Sequence, residues 1–192
     1  MRSIAVLALA GFCSFAAPAF AAPVKYMLDH EHVWITFRLG HLGFAQAVGT
    51  FSGTTGEIIF DIEKPAASSV KARIDLNSVH TALPARDKWL LSDKALNAAR
   101  APFANFESAS INVTGKNTGT ITGNLTLNGV TKPVTLNVTF NKIGQNPLIK
   151  KEVIGFSATG SLKRSDFDFK TFLGPLGDEV NFSIELEAIR AD

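Results

Sequence analysis

Cysteine is almost absent from this chain of 192 residues: its single instance is Cys13. That position lies in a segment expected to be removed, so no disulfide framework is available and stability must come from a packed core. Basic runs are missing as well. Lys and Arg number 19 against 17 Asp and Glu, for a formal charge of +2, which gives no stripe able to neutralise a phosphate backbone and argues against a nucleic-acid partner. No GxSxG elbow, P-loop, GxGxxG turn or Cys–His pair occurs after residue 21, which weakens any enzymatic reading. Tyr occurs once and Trp twice, whereas Phe occurs 15 times. Phe carries no polar handle, so this excess implies a large dry interior, either packed solid or lining a site for an apolar ligand.

The first 21 residues read as a secretory leader. Arg2 precedes an apolar run from Ile4 to Phe15, and Ala19-Phe20-Ala21 supplies small residues at the two key positions before a cut. Cleavage is expected after Ala21, with Ala22 the alternative. The apolar run is too short for a transmembrane helix, so no stable membrane insertion is expected. Removing 21 of 192 residues leaves 171, enough for one exported domain, residues 22–192, with a sizeable core.

Within that domain the clearest structural signal is GNLTLNGVTKPVTLNVTF, Gly123 to Phe140. Leu125 and Leu127 alternate with polar residues, Asn128-Gly129 suits a type I′ turn, and Val134, Leu136, Val138 and Phe140 alternate on the return. Pro133, which cannot donate to a ladder, is expected near the start of the returning strand. A lone hairpin is marginal in water and needs more sheet. That sheet is legible in Val33, Ile35, Phe37 and Leu39, in Ala47 to Asp61 with Gly49, Gly53 and Gly56 inside it, and in Val70, Ala72, Ile74 and Leu76. Phe103 to Lys116, Val153 to Lys163 and Asp178 to Ile189 add further strands. Thr81 to Ala101 differs: Pro84 opens a helix, Trp89, Leu90 and Leu96 follow helical spacing, Ser92 caps a second short turn, and Pro102 ends the segment. The pattern predicts an all-β fold, an antiparallel barrel of about eight strands with one or two short helices inserted.

One connector stands out. Ser165 to Gly177, SDFDFKTFLGPLG, carries five large apolar residues, too many for a water-exposed loop. It must cover a barrel mouth, a ligand or a partner, or else plug the barrel end as core. His41, Arg86, Asp87, Arg164 and Asp166 fall at strand ends or in connectors, where a mouth would be. A cation there could hold the head of an amphiphile whose tail enters the barrel; alternatively Asp87 and an arginine form an ordinary ion pair anchoring the helical insertion. If the interior takes an apolar ligand, its expected lining is Ile35, Phe37, Leu39, Phe44, Phe51, Ile74, Leu76, Leu90, Phe106, Phe140, Phe156, Leu162, Phe167 and Phe172. His30 and His32, with Asp29 or Glu31, match no zinc spacing and read as solvated, so no metal is expected. No cofactor and no catalytic residue are assigned.

The order and spacing of DHEHVWITFRLGHLG, VGTFSGTTGEIIFD, NSVHT, ARDKWLLS, APFANFES, GNLTLNGVTKPVTL, VIGFSATGSLKRSDFDF and GDEV resemble the YceI-like family of bacterial periplasmic, polyisoprenoid-binding proteins. The resemblance implies a lipocalin-like antiparallel barrel with an isoprenoid chain in an apolar tunnel, a periplasmic location, and an isoprenoid amphiphile such as a polyprenyl lipid or isoprenoid quinone as partner. A homodimer is left open. The family's first-strand histidine falls on His32, its HLG histidine on His41, its arginine–aspartate pair on Arg86 and Asp87, and its RSDF element on Arg164 to Phe167. Val33 stands where the family usually has serine, and Asp168 where it has glycine, which adds a carboxylate beside the expected mouth.

Overall fold

The computed structural model describes residues 22–192; the expected leader lies outside the described residues. Ten strands and one α-helix follow in order: β1 (Val24–His41), β2 (Ala45–Phe51), β3 (Thr54–Phe60), β4 (Ser69–Asp75), β5 (Val79–His80), α1 (Pro84–Leu90), β6 (Phe103–Val113), β7 (Thr118–Leu127), β8 (Val130–Gln145), β9 (Glu152–Lys163) and β10 (Leu176–Arg190). Every ladder between these strands is antiparallel, and β10 returns to β1, so the sheet closes. β2 and β3 pair with the later and earlier halves of β1 and act as one interrupted strand, and β5 prolongs β4 against β2 in the same way. The wall is therefore an eight-stranded barrel. Closure removes the exposed edges that an open sheet of this length would present.

The hairpin at Asn128-Gly129 forms as its sequence dictates. Both residues are left-handed, at φ 52° and 77°, and Leu127 faces Val130 across the turn. Pro133 falls where β8 pairs with β7 alone, since β9 joins β8 only from Leu136 onward, so its missing N–H breaks no ladder.

Two of the wall's irregularities lie side by side. Between Leu28 and Val33 the β1–β10 register shifts, so the buried positions change from Tyr26 and Leu28 to Val33. The break at Ser52–Gly53 does the same for its neighbour, moving the inward set from Ala47, Gly49 and Phe51 to Ile58 and Phe60. A strand slipped by one residue shows its other face to the core, so the two shifts must occur together. Gly56 allows the close approach that follows: a Cβ there would lie 2.1 Å from the Lys71 carbonyl oxygen.

The apolar interior divides. One cluster fills the end where β1 begins and β10 finishes, with Tyr26, Leu28, Val33, Ile58, Phe60, Ile154 and Ala188 buried. Above it Phe60, Phe140 and Phe156 form a ring cluster with centroids 5.4–5.7 Å apart, each contact worth about 0.5–1.5 kcal/mol beyond its buried area. The Tyr26 hydroxyl donates to Glu152 Oε1 at 2.6 Å, and burial followed by that carboxylate pushes its pKa well above the ordinary phenol range. A second cluster of Leu76, Ala98 and Ala104 holds the helical insertion against the barrel.

Candidate functional site

The end where β1 finishes and β10 begins is covered by three segments: the β1–β2 turn, the insertion around α1, and the connector between β9 and β10. Leu42 N–H donates to the Pro175 carbonyl at 2.8 Å, and Thr171 Oγ1 donates to the Lys94 carbonyl at 2.5 Å. Trp89 of α1 stacks on Phe172 at 5.6 Å and lies 6.2 Å from Phe169. Beneath this cover lies a mainly apolar cavity of about 330 Å³, lined by Phe37, Ala47, Val48, Leu90, Trp89, Phe172 and Leu176, with His41, Thr81 and Arg86 as its polar members. Its size lies at the lower end of the range for small-molecule sites.

Below the cavity Ile35, Phe37 and Leu39 of β1, Phe51 of β2, Ile74 of β4, Phe140 of β8 and Phe156 and Leu162 of β9 share the inward-facing sets, and all are only half-buried. The contrast with Ile154 and Ala188, at 0% exposure, shows that the apolar face is packed tightly at one end and loosely toward the mouth. Phe106 is also inward and buried, its ring covering Gly123.

Three expected lining residues sit elsewhere, and a fourth sits at the rim. Phe44 is 90% exposed: it ends the β1–β2 turn, where its N–H donates to the His41 carbonyl, and strand alternation does not extend through a turn. Leu76 lies in a 3-10 turn after β4 and belongs to the cluster under the insertion. Phe167 is buried in the 3-10 turn Arg164–Phe167, and its carbonyl accepts from Asn128 Nδ2 at 3.3 Å, so it anchors the connector to the β7–β8 turn. Phe172 does line the cavity but is 57% exposed at its rim. The insertion forms one α-helix, and Ser92 does cap a second short turn, which is not helical: its Oγ donates to the Trp89 carbonyl and accepts from Lys94 N–H at 3.4 Å, and its carbonyl accepts from Ala95 N–H.

The polar candidates take different positions. Arg164 is 2% exposed and turns away from any ligand: Nε donates to Gly177 O at 2.9 Å, one terminal nitrogen to Phe169 O and Thr171 O at 3.0 and 2.7 Å, and the other to Leu176 O at 3.1 Å. The guanidinium also lies 4.9 Å from the Phe169 ring. Burial draws its pKa down and Asp178 partly offsets this. Arginine, with five donors in a planar fork, suits a loop whose carbonyls converge.

Arg86 and Asp87 meet on Thr81 and do not pair directly. Asp87 Oδ1 accepts from Thr81 N–H at 2.8 Å and from its hydroxyl at 2.5 Å, while Arg86 donates to Thr81 Oγ1 and to its carbonyl. The anchoring role of this pair is thus realised through a third residue that the sequence did not single out. His41 and Asp166 are exposed, with His41 on the cavity and Asp166 on a separate polar groove beside Lys132 and Lys163. Asp168, the extra carboxylate, is paired with Lys170 at 2.8 Å, and that hydrogen bond holds its pKa below the usual range.

Asp29 accepts from His32 Nδ1 at 2.7 Å, and that bond raises the imidazole pKa. Among the described residues no group of three His, Cys, Asp or Glu side chains has metal-holding geometry, and no helix is long and apolar enough to cross a membrane.

Comparisons with known proteins agree with this architecture. The family model of the YceI-like domain matches residues 26–188. A UPF0312 protein of Pseudomonas aeruginosa (strain LESB58) is 40% identical, over 98% of each chain. Among solved structures, Burkholderia cenocepacia BcnA superposes with a TM-score of 0.74 at 24% identity, covering 83% of this chain and 98% of that one. A polyisoprenoid binding domain from Saccharophagus degradans implicated in plant cell wall breakdown superposes with a TM-score of 0.67 at 14% identity, covering 88% and 99%. At those identities the two structures speak to the fold, whereas the family model and the 40% relative speak to descent. A closed eight-stranded barrel with a helical insertion over its mouth, matched by the family model along nearly the whole described chain, is a member of the YceI-like family.

Proposed function

We propose that this chain is an exported, periplasmic carrier that holds the isoprenoid tail of an amphiphile, a polyprenyl lipid or an isoprenoid quinone, inside its barrel. The observation that carries the reading is the inner face toward the mouth: Phe37, Leu39 and Leu162 point inward yet are only half-buried, and they lead up to the apolar cavity at the mouth. Burying a five-carbon isoprene unit contributes about 3–4 kcal/mol gross, at about 0.8 per carbon. A few units therefore outweigh the cost of immobilising the chain. The choice of an isoprenoid in particular rests on the resemblance of the sequence motifs to the YceI-like family; the Saccharophagus polyisoprenoid binding domain shares the fold.

The head group is neutral or weakly polar on this reading. Arg164 is engaged by four carbonyls of the connector, and the cavity presents only His41, Thr81 and Arg86, with Arg86 already bound to Thr81. Mass spectrometry of an organic extract from protein purified without detergent should find a co-purifying isoprenoid. Turnover of that lipid during incubation would make the chain an enzyme and overturn the carrier assignment. Ala158, buried on the inner face between Val138 and Ile184, provides the site-directed test. Ala158→Trp should abolish uptake of a fluorescent polyprenyl probe while the β-sheet circular dichroism persists; full uptake by the folded variant would remove the tunnel.

A further inference from the structure

One row of residues crosses four neighbouring strands just below the mouth cavity. Gly49 of β2 faces Phe37 of β1, Phe37 faces Phe182 of β10, and Phe182 faces Gly160 of β9. All four lie on the inward-facing side of the wall. Each ring leans away from the other, onto the glycine beside it: a Cβ on Gly49 would lie 2.3 Å from Phe37 Cζ, and one on Gly160 would lie 2.7 Å from Phe182 Cζ and 2.9 Å from Cε2. Real carbon atoms do not approach so closely. The two rings therefore lie flat along the wall only because their neighbours have no side chain. With any other residue at either position, the ring would have to turn out of the space it now occupies, and the direction left to it is the barrel interior.

We propose that this Gly–Phe–Phe–Gly row sets the bore of the tunnel and makes it wide enough to admit methyl-branched tails, resting on the reading of the barrel as an isoprenoid carrier. A straight acyl chain needs only a narrow passage, whereas an isoprenoid carries a methyl group on every unit and needs a wider one. Two large aromatics placed side by side would ordinarily narrow a barrel at that level. Folding both rings against backbone keeps their apolar faces toward the passage and removes their bulk from it. Packed interiors are sensitive to single methylene groups, so one Cβ in the row is enough to reset the bore. Phe37 also lines the mouth cavity, which places the row where an entering tail must pass.

The decisive variant is Gly160→Ala, because the crowding it introduces falls mainly on the far end of a side chain that can rotate; the nearest backbone atom, Thr135 O, is 3.1 Å away. Two readouts are needed. A crystal structure of the variant should show the Phe182 ring rotated into the interior. Competition against a fluorescent polyprenyl probe should show a branched polyprenol weakened at least tenfold while a straight-chain alcohol of equal main-chain length holds its affinity. Shortening the displaced ring in Gly160→Ala/Phe182→Leu should restore the branched ligand. An unmoved ring, or a moved ring with unchanged preference between the two alcohols, overturns the row as what sets the bore but leaves the carrier reading standing. Failure of the wild-type protein to bind either alcohol overturns both. Gly49→Ala, on the other flank of the row, supplies the same comparison if Gly160→Ala does not fold.

Discussion

Truncating Arg164 to alanine should open the connector over the mouth without unfolding the barrel. The guanidinium makes four hydrogen bonds to carbonyls of Phe169, Thr171, Leu176 and Gly177 and one cation–π contact with Phe169. At about 1 kcal/mol net per hydrogen bond and about 0.5–1 kcal/mol for the ring contact, the gross loss is about 5 kcal/mol. Part is recovered, because those carbonyls belong to half-buried residues that water can reach and because a buried charge is removed. A net cost of about 2–4 kcal/mol follows. It should appear as local opening, since Arg164 ties the connector to itself and to the first two residues of β10, Leu176 and Gly177, while the body of the barrel wall does not depend on it. Native-state hydrogen exchange reads this directly at the amides of Asp168, Phe169, Leu173 and Leu176, each bonded within the connector. Their protection should fall by about thirty- to a thousandfold, at 1.4 kcal/mol per tenfold, while amides of β7 and β8 keep theirs. Arg164→Lys, with three donors on a flexible stem, should fall between wild type and alanine. Unchanged protection in Arg164→Ala would refute the argument that the guanidinium organises the loop. So would a selective, salt-sensitive tenfold loss of a polyprenyl pyrophosphate relative to a quinone of equal tail length, because that result would make Arg164 a phosphate ligand.

Three further outcomes follow from the same geometry. Burial alone would raise the Asp178 carboxyl, but donation from Ser165 N–H and Oγ at 2.9 and 2.8 Å and the Arg164 and Lys163 charges outweigh it and hold its pKa below the ordinary carboxylate range. The unfolded chain thus binds more protons as the pH falls. The contribution is complete above an unfolded value of about 4 and is lost as pH drops through the depressed folded value; Asp178→Asn should flatten that limb in acid denaturation curves, and an unchanged limb would assign it to another group. Thr81→Val removes the hydroxyl shared by Arg86 and Asp87 and should destabilise the insertion by about 1–3 kcal/mol, seen in urea unfolding followed by Trp89 fluorescence; an unshifted midpoint would show the clamp to be idle. Tyr26→Phe loses the bond to Glu152 and should lower stability by about 1 kcal/mol with no change in lipid uptake, because it acts at the end far from the mouth.

Local chemistry made much of this protein legible before any coordinates. Asn128-Gly129 can hardly be anything but a tight hairpin turn, because it combines two residues tolerant of positive φ between alternating strands, and both are indeed left-handed. Period-two alternation in Val33–Leu39, Val134–Phe140 and Phe182–Ala188 assigned the inner face, since successive strand side chains point to opposite sides. The order of the motifs carried the family, and the family model covers residues 26–188. Contacts between segments distant in sequence were not legible in this way. Nothing in RSDF says that Arg164 donates to carbonyls up to 13 residues away, so a buried loop organiser and an exposed head-group ligand read alike in sequence. Phe44 and Phe167 look equally apolar, yet one ends a turn at 90% exposure and the other is sealed at 1%. The pairing of Gly49 with Phe37 and of Gly160 with Phe182 exists only once register is set across four strands. A shift of one residue in any of those ladders would turn the rings outward and leave the glycines with nothing to accommodate. Sequence periodicity decided which face of each strand is apolar; barrel closure decided which apolar residues meet and which leave a passage between them.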